Sequence, residues 1–163
     1  MALGKTHDHS SILWSMPFGL LASLAMGLAN GLIGSLGFII GGLWLSPDLD
    51  TKSLALKRWG FFQGIWWPYR KIIPHRSLFS HGPIIGTTIR IFYLLFWITC
   101  FSWVMQLFGI TYSVNKLEYV LNLDENLKMP IISFISGIEA NAWLHLIQDG
   151  DPLPIEWNRK HNK

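Results

Sequence analysis

Residues 74–82 read "PHRSLFSHG", with His75 and His81 six positions apart and Arg76 and Ser80 between them. Imidazole nitrogens suit divalent transition metals, and carboxylates can complete such a site with oxygen ligands. Carboxylates of the right kind occur elsewhere in the chain. In "SPDLD", Asp48 and Asp50 flank Leu49, so an extended turn points both toward one side. In "HLIQD", His145 and Asp149 are four apart, which stacks them on one helical face. "KTHDHS" adds His7 and Asp8 near the start. Imidazole mixed with carboxylate selects zinc first, with iron or manganese also fitting, whereas carboxylates alone would select magnesium or calcium. One zinc ion takes three or four protein ligands. More than that are on offer, so two ions, or one ion with separate catalytic acids, both stay open. Cys100 is the single cysteine and lies in an apolar run, which excludes a disulfide framework and a multi-cysteine zinc site.

These residues depend on elements that are unusually apolar. The 163-residue chain suits one domain, 1–163, and is 50% hydrophobic but only 14% charged, with 9 Trp and 10 Phe. A soluble domain carries roughly a quarter charged residues. The composition is that of a small all-α membrane protein. No charged residue occurs from Ile12 to Ser46, a stretch too long for one span. Turn chemistry at Asn30–Gly31 divides it into spans over about 12–29 and 32–46, and its many glycines allow close helix approach. Pro47 ends the second span. Two further spans are expected over about 84–108 and 131–148, giving four transmembrane helices. The loop between the second and third is polar, basic and aromatic, and includes "KRWGFFQGIWWPYRK". Its Trp59, Trp66, Trp67 and Tyr69, beside Lys57, Arg58, Arg70 and Lys71, suit the lipid head-group layer. Glu139 and Asn141 interrupt the last span, and Arg90 at similar depth is the expected partner of Glu139.

Four spans bring His7, Asp8, Asp48, Asp50, His75, His81, His145 and Asp149 to the same membrane face, although hydropathy alone set the spans. His9 and His161 fall there too. Lys5, Lys52, Lys57, Arg58, Arg70, Lys71, Arg76, Arg159, Lys160 and Lys163 share that face, against Lys116 and Lys128 on the other. The excess of cations makes it cytoplasmic, with both termini there, in an inner, plasma or thylakoid membrane. The N-terminus lacks a signal-peptide cleavage pattern and is read as retained. No basic stripe with regular aromatic spacing points to nucleic acid, so membrane lipids are the expected contact.

Taken together, "THD", "SPDLD", "KRWG", "IWWPYRK", "PHRSLFSHGPIIGT" and "HLIQD" resemble a family of metal-binding membrane proteins frequent in cyanobacteria. That family is distantly similar to the LexA-binding, inner-membrane-associated metal-dependent hydrolases. The resemblance implies site positions at His7, Asp48, Asp50, His75, Arg76, Ser80, His81, His145 and Asp149. The first functional reading is a metal-dependent hydrolase acting on a phosphoester or lipid head group. Its first ligands are His75, His81, His145 and Asp48. Asp50, His7 and Asp149 serve a second metal or act as general base, and Arg76 and Arg70 hold an anionic substrate group. The second reading is a non-enzymatic accessory or assembly subunit of a larger membrane complex, photosynthetic complexes included, with a structural metal. An open coordination position favours the first and a closed site the second.

Overall fold

Helices make up all the regular structure among the described residues, which in this computed structural model are 4–109 and 125–150. In chain order these are α1 (Gly4–Met26), α2 (Leu28–Leu43), a 3₁₀ turn (Pro47–Asp50), α3 (Leu54–Arg58) and a second 3₁₀ turn (Gly60–Ile65). There follow α4 (Trp66–Ile72), α5 (Leu78–His81), α6 (Ile85–Leu107) and α7 (Glu125–Asp149). Most of the loop expected over 109–130 lies outside the described residues, as does the tail from 151, His161 included.

The all-α expectation holds, and the expected count of four spans is corrected. Three helical segments are long and apolar enough to cross a membrane: Leu28–Asp50, Ile85–Leu107 and Leu127–Asp149. The first expected span is a helix, but it begins at Gly4 rather than near residue 12. It therefore includes Lys5, His7, Asp8, His9, Ser10 and Ser11, which dilute its apolar character. The break between α1 and α2 also moves. It falls at Gly27, whose φ of +86° is open to glycine without steric cost. Asn30, expected in the turn, is helical: its side chain donates to the Met26 carbonyl at 2.7 Å, and its own carbonyl accepts from Ser133 Oγ at 2.6 Å.

Helix α2 is wedged between α1 and α7, its two main packing partners. Bare glycine faces make the wedge possible. A Cβ on Gly37 would lie 2.2 Å from the Phe134 carbonyl oxygen on α7, and one on Gly42 would lie 2.1 Å from Ser11 Oγ on α1. Small residues are what allow such crossings without a cavity. Helix α6 is different. Only Gly86, Thr87 and Arg90 in its first turns are buried, while Phe92, Phe96, Phe101 and Trp103 stand exposed.

The segment expected at the head-group layer supplies core. Trp66 and Tyr69 are fully buried with Leu49, Leu56 and Ile138, and their rings pack against Tyr93 of α6. Trp67 remains outward with Phe61 and Phe62, and Lys71 Nζ lies 4.5 Å above the Trp67 ring. Arg58 pins this segment to α1 by an ion pair with Asp8, and to α2 by donating to the Leu43 carbonyl at 3.0 Å.

Candidate metal centre

The "SPDLD" turn forms where α2 ends because Pro47 cannot continue the helix and the Ser46 hydroxyl accepts the Asp48 N–H. It is a 3₁₀ turn and not the expected extended one. Leu49 is fully buried and fixes the turn from beneath. Successive residues of a 3₁₀ turn are about 120° apart, so Asp48 and Asp50 diverge. They meet the two different nitrogens of one ring. Asp48 Oδ1 lies 3.7 Å from His81 Nε2, and Asp50 Oδ2 lies 3.4 Å from His81 Nδ1.

His81 closes α5, and the turn carrying it is tightly held. Ser80, fully buried, directs its hydroxyl to the Pro74 and Ser77 carbonyls at 3.2 and 3.3 Å, and lies 2.9 Å from His81 Nδ1. The buried Arg90 guanidinium donates to the Ser80 carbonyl at 2.6 Å and to Thr87 Oγ1 at 3.0 Å. This corrects the expected Arg90–Glu139 ion pair: Glu139 instead accepts the Ile84 N–H at 2.8 Å. The two carbonyl-directed contacts brace the backbone on either side of the loop. Arg76 and Ile84 both have positive φ, 58° and 62°. Such backbone strain in non-glycine residues persists only where the surroundings fix it. At Arg76 the N–H donates to Asp50 Oδ2 at 3.4 Å and the guanidinium pairs with Asp149 Oδ2 at 3.3 Å.

The remaining groups come from the ends of α7 and α1. His145 Nε2 lies 3.5 Å from Asp48 Oδ1 and 3.8 Å from Asp149 Oδ2, the latter across one helical turn. The His7 ring stacks on His145 with centroids 4.0 Å apart. Its Nδ1 binds Gln148 Oε1 at 2.8 Å, which leaves Nε2 facing Asp149 Oδ1 at 3.3 Å. Three overlapping groups result, each with ligand atoms within 4.8 Å of one another: His7–His145–Asp149, Asp48–His81–His145 and Asp50–His75–His81. Every residue expected to ligate metal is thus in the cluster. His9 is exposed, and Asp8 is engaged by Arg58. Arg70 parts from Arg76 and lines a different cavity. Gln148 was not foreseen, although it stands beside Asp149 in "HLIQD" and sets the orientation of His7.

The central group meets a direct test of fit. Among the described residues, His81 Nε2 and His145 Nε2 are buried with no hydrogen-bond partner. A buried orphan polar atom is costly, and here both orphans face the same carboxylate oxygen. Two ligands about 2.0–2.1 Å from a tetrahedral ion stand roughly 3.4 Å apart, close to the 3.5 and 3.7 Å seen here. The Ser80 hydroxyl, which donates to backbone carbonyls, accepts the His81 Nδ1–H at 2.9 Å, and the Asp50 carboxylate flanks that nitrogen at 3.4 Å, which fixes the tautomer with Nε2 free. Asp50 also accepts from His75 Nδ1 at 3.0 Å. Burial lowers the proton affinity of His81, but the neighbouring Asp48 and Asp50 carboxylates outweigh it and raise the pKa above 6.5. The Asp48 side chain keeps 26% of its exposure and His75 40%, so the cluster is approachable from that side.

Fold and site together define an all-helical protein with membrane-length apolar helices and a His/Asp cluster fitted to a metal ion. The chain belongs to the family described as "Uncharacterized metal-binding protein (DUF2227)", which it matches over residues 2–161. It is also similar to an uncharacterized protein of Aquifex aeolicus (strain VF5), 39% identical over 60 residues, or 36% of this chain. The match spans 42% of that relative's length. No solved structure matches the chain.

Proposed function

We propose that this protein is an integral membrane metalloenzyme that hydrolyses a phosphoester, with one divalent ion held by Asp48, His81 and His145. The reading is carried by the two orphaned Nε2 atoms converging on Asp48 Oδ1. Three protein ligands leave a tetrahedral ion one position for water or substrate, the arrangement of catalytic rather than structural zinc. Zinc fits this donor set first. The resemblance to the metal-dependent hydrolases points the same way. We place the outward face of α1 against lipid beside the membrane-crossing α2, because the two helices pack closely and Leu13, Met16, Leu20 and Leu24 are exposed. Both termini and the metal cluster then lie on the cytoplasmic side.

The bound ion supplies Lewis acidity toward water or a phosphoryl oxygen. The chain's own groups supply the rest. Ser80 and Asp50 together hold the Nδ1 side of the His81 ring so that Nε2 stays unprotonated. Asp149, between His7 and Arg76, is placed to accept a proton, and the His7 ring beside it can take up or relay that charge. The Arg76 guanidinium has further N–H groups beyond its contact with Asp149, suited to an anionic phosphoryl group.

Elemental analysis of the purified chain tests the reading. About one equivalent of metal is expected in the wild type and in His9→Ala, and none in His81→Ala or His145→Ala. Equal metal content in all four overturns it. A second reading, an accessory subunit of a larger and photosynthetic complex, draws on the bare apolar surface of α6. A metal-loaded chain that fails to cleave phosphomonoesters and phosphodiesters, yet co-purifies with a membrane complex through α6, favours that reading.

A further inference from the structure

A second cavity, of about 650 Å³, opens between α3, the Gly60–Ile65 turn and α4. Lys52, Lys57 and Arg70 line it with Gln63 and Trp67, and no carboxylate is in its wall. None of the three cations has an ion-pair partner among the described residues, and Arg70 Nε is buried with no hydrogen-bond partner. Lys71, held over the outer ring of Trp67, adds positive charge at its edge. Concentrated positive charge with an unsatisfied guanidinium N–H calls for an anion, and phosphate oxygens match guanidinium geometry best.

The surroundings indicate which phosphate. Lys52 follows directly after the apolar segment Leu28–Asp50, at the level where that helix would leave the hydrocarbon. The Gly60–Ile65 turn reaches the other way. Its Ile65 carbonyl accepts from the Tyr93 hydroxyl, and Tyr93 lies eight residues, or roughly 12 Å, into α6. Phe61 and Phe62 on that turn are 94% and 63% exposed, and Ile72 beyond it 76%. A site for a dissolved anion has no use for bare phenylalanines below it, whereas a lipid offers a phosphate at one level and acyl chains at the next.

We infer that this cavity binds the head group of an anionic phospholipid, with the phosphate on Lys52, Lys57 and Arg70 and the acyl chains along Phe61 and Phe62. This rests on the membrane placement proposed above and is independent of the metal. The test uses the full chain in neutral-detergent micelles containing equal amounts of phosphatidylglycerol and phosphatidylcholine, with the lipid retained per protein counted after purification. Wild-type protein retains phosphatidylglycerol preferentially. Each cation near an anionic lipid is worth roughly fivefold. Lys52→Gln, at an exposed side chain, therefore lowers the preference about fivefold, and Lys57→Gln with Arg70→Gln about 25-fold. Lys128→Gln, an exposed cation near the start of α7 and so at the far end of that helix from His145 and Asp149, leaves it unchanged. Equal retention in the cavity variants overturns the site, as does an equal loss in Lys128→Gln. Displacement of the lipid by millimolar inorganic phosphate overturns the lipid assignment in favour of a soluble phosphoanion. Wild-type protein that stays in solution without detergent overturns the membrane placement instead, so the two failures are told apart.

Discussion

Replacing Asp50 by asparagine separates two roles that the cluster allows it, ligand or orienting group. The Asp50 side chain is fully buried, and each of its oxygens has distinct work. Oδ1 accepts from His75 Nδ1 at 3.0 Å; Oδ2 accepts from the Arg76 N–H at 3.4 Å and faces His81 Nδ1 at 3.4 Å. An amide of the same shape keeps one acceptor and turns the other into a donor. The side with two donors takes the remaining oxygen, so the NH₂ group faces His75. His81 then keeps its tautomer and loses only the charge of its partner. Loss of an outer-shell partner lowers metal affinity about 10–100-fold, and this geometry puts Asp50→Asn nearer tenfold, or about 1.4 kcal/mol. Competition with a zinc-binding indicator gives the affinity, and elemental analysis at saturating zinc gives the stoichiometry, which should not change. A loss of one whole equivalent would refute the reasoning by making Asp50 a ligand. An unchanged affinity would refute it too, because the carboxylate would then orient nothing.

The remaining predictions concern pH, packing and topology. His81 has a raised pKa. Its contribution to the metal-free protein is therefore fully present below about pH 6.5 and lost as pH rises through the raised value, while metal binding, which needs the neutral ring, strengthens over the same interval. Thermal melts with and without chelator should thus show opposite pH trends above about pH 6.5; parallel trends would exclude His81 as a ligand. Gly37→Leu should destabilise the chain by at least the 1–3 kcal/mol usual for overpacking, because its Cβ would meet the backbone oxygen of Phe134 at 2.2 Å. Gly64→Ala, with open space around it, should be nearly neutral in the same denaturation assay. On a Cys100→Ser background, cysteines at Ser53 and Asn122 should label from opposite sides of the membrane, and labelling from one side would sink the crossing of α6.

Hydropathy and spacing were enough to bring the candidate ligand residues together, because a helix end is fixed once its apolar run is known. That is how His145, Asp149 and the Asp48–Asp50 turn could be placed on one level without coordinates. What the sequence concealed depended on side-chain direction. The Asp48–Leu49–Asp50 spacing suits an extended turn as well as a 3₁₀ turn, yet only the latter sends the two carboxylates to opposite nitrogens of His81. Trp66 and Trp67 are neighbours of one type, but one is core and the other faces outward, a difference set by α4 packing on Tyr93. The start of α1 was hidden for a related reason. Lys5 to Ser11 precede the apolar run expected from residue 12, although His7 and Ser11 lie on the buried face of a helix that continues through them. Arg90 and Glu139 share a depth but face different neighbours, and depth alone does not make a contact.

The glycine wedge of α2 has a consequence for how the chain responds to losing its ion. Because α1, α2 and α7 are interlocked at backbone distance, His7, His145 and Asp149 ride on one stiff block, and Asp48 sits on the turn that leaves it. His81 does not belong to that block. It sits at the end of α5, whose main neighbours are α6 and the Asp48–Asp50 turn. The proposed ion, shared by Asp48, His81 and His145, would therefore bridge a seam between the interlocked helices and the start of α6. Emptying the site removes a rivet from that seam, and hydrogen exchange should rise first in residues 77–90 while the α2 backbone stays protected.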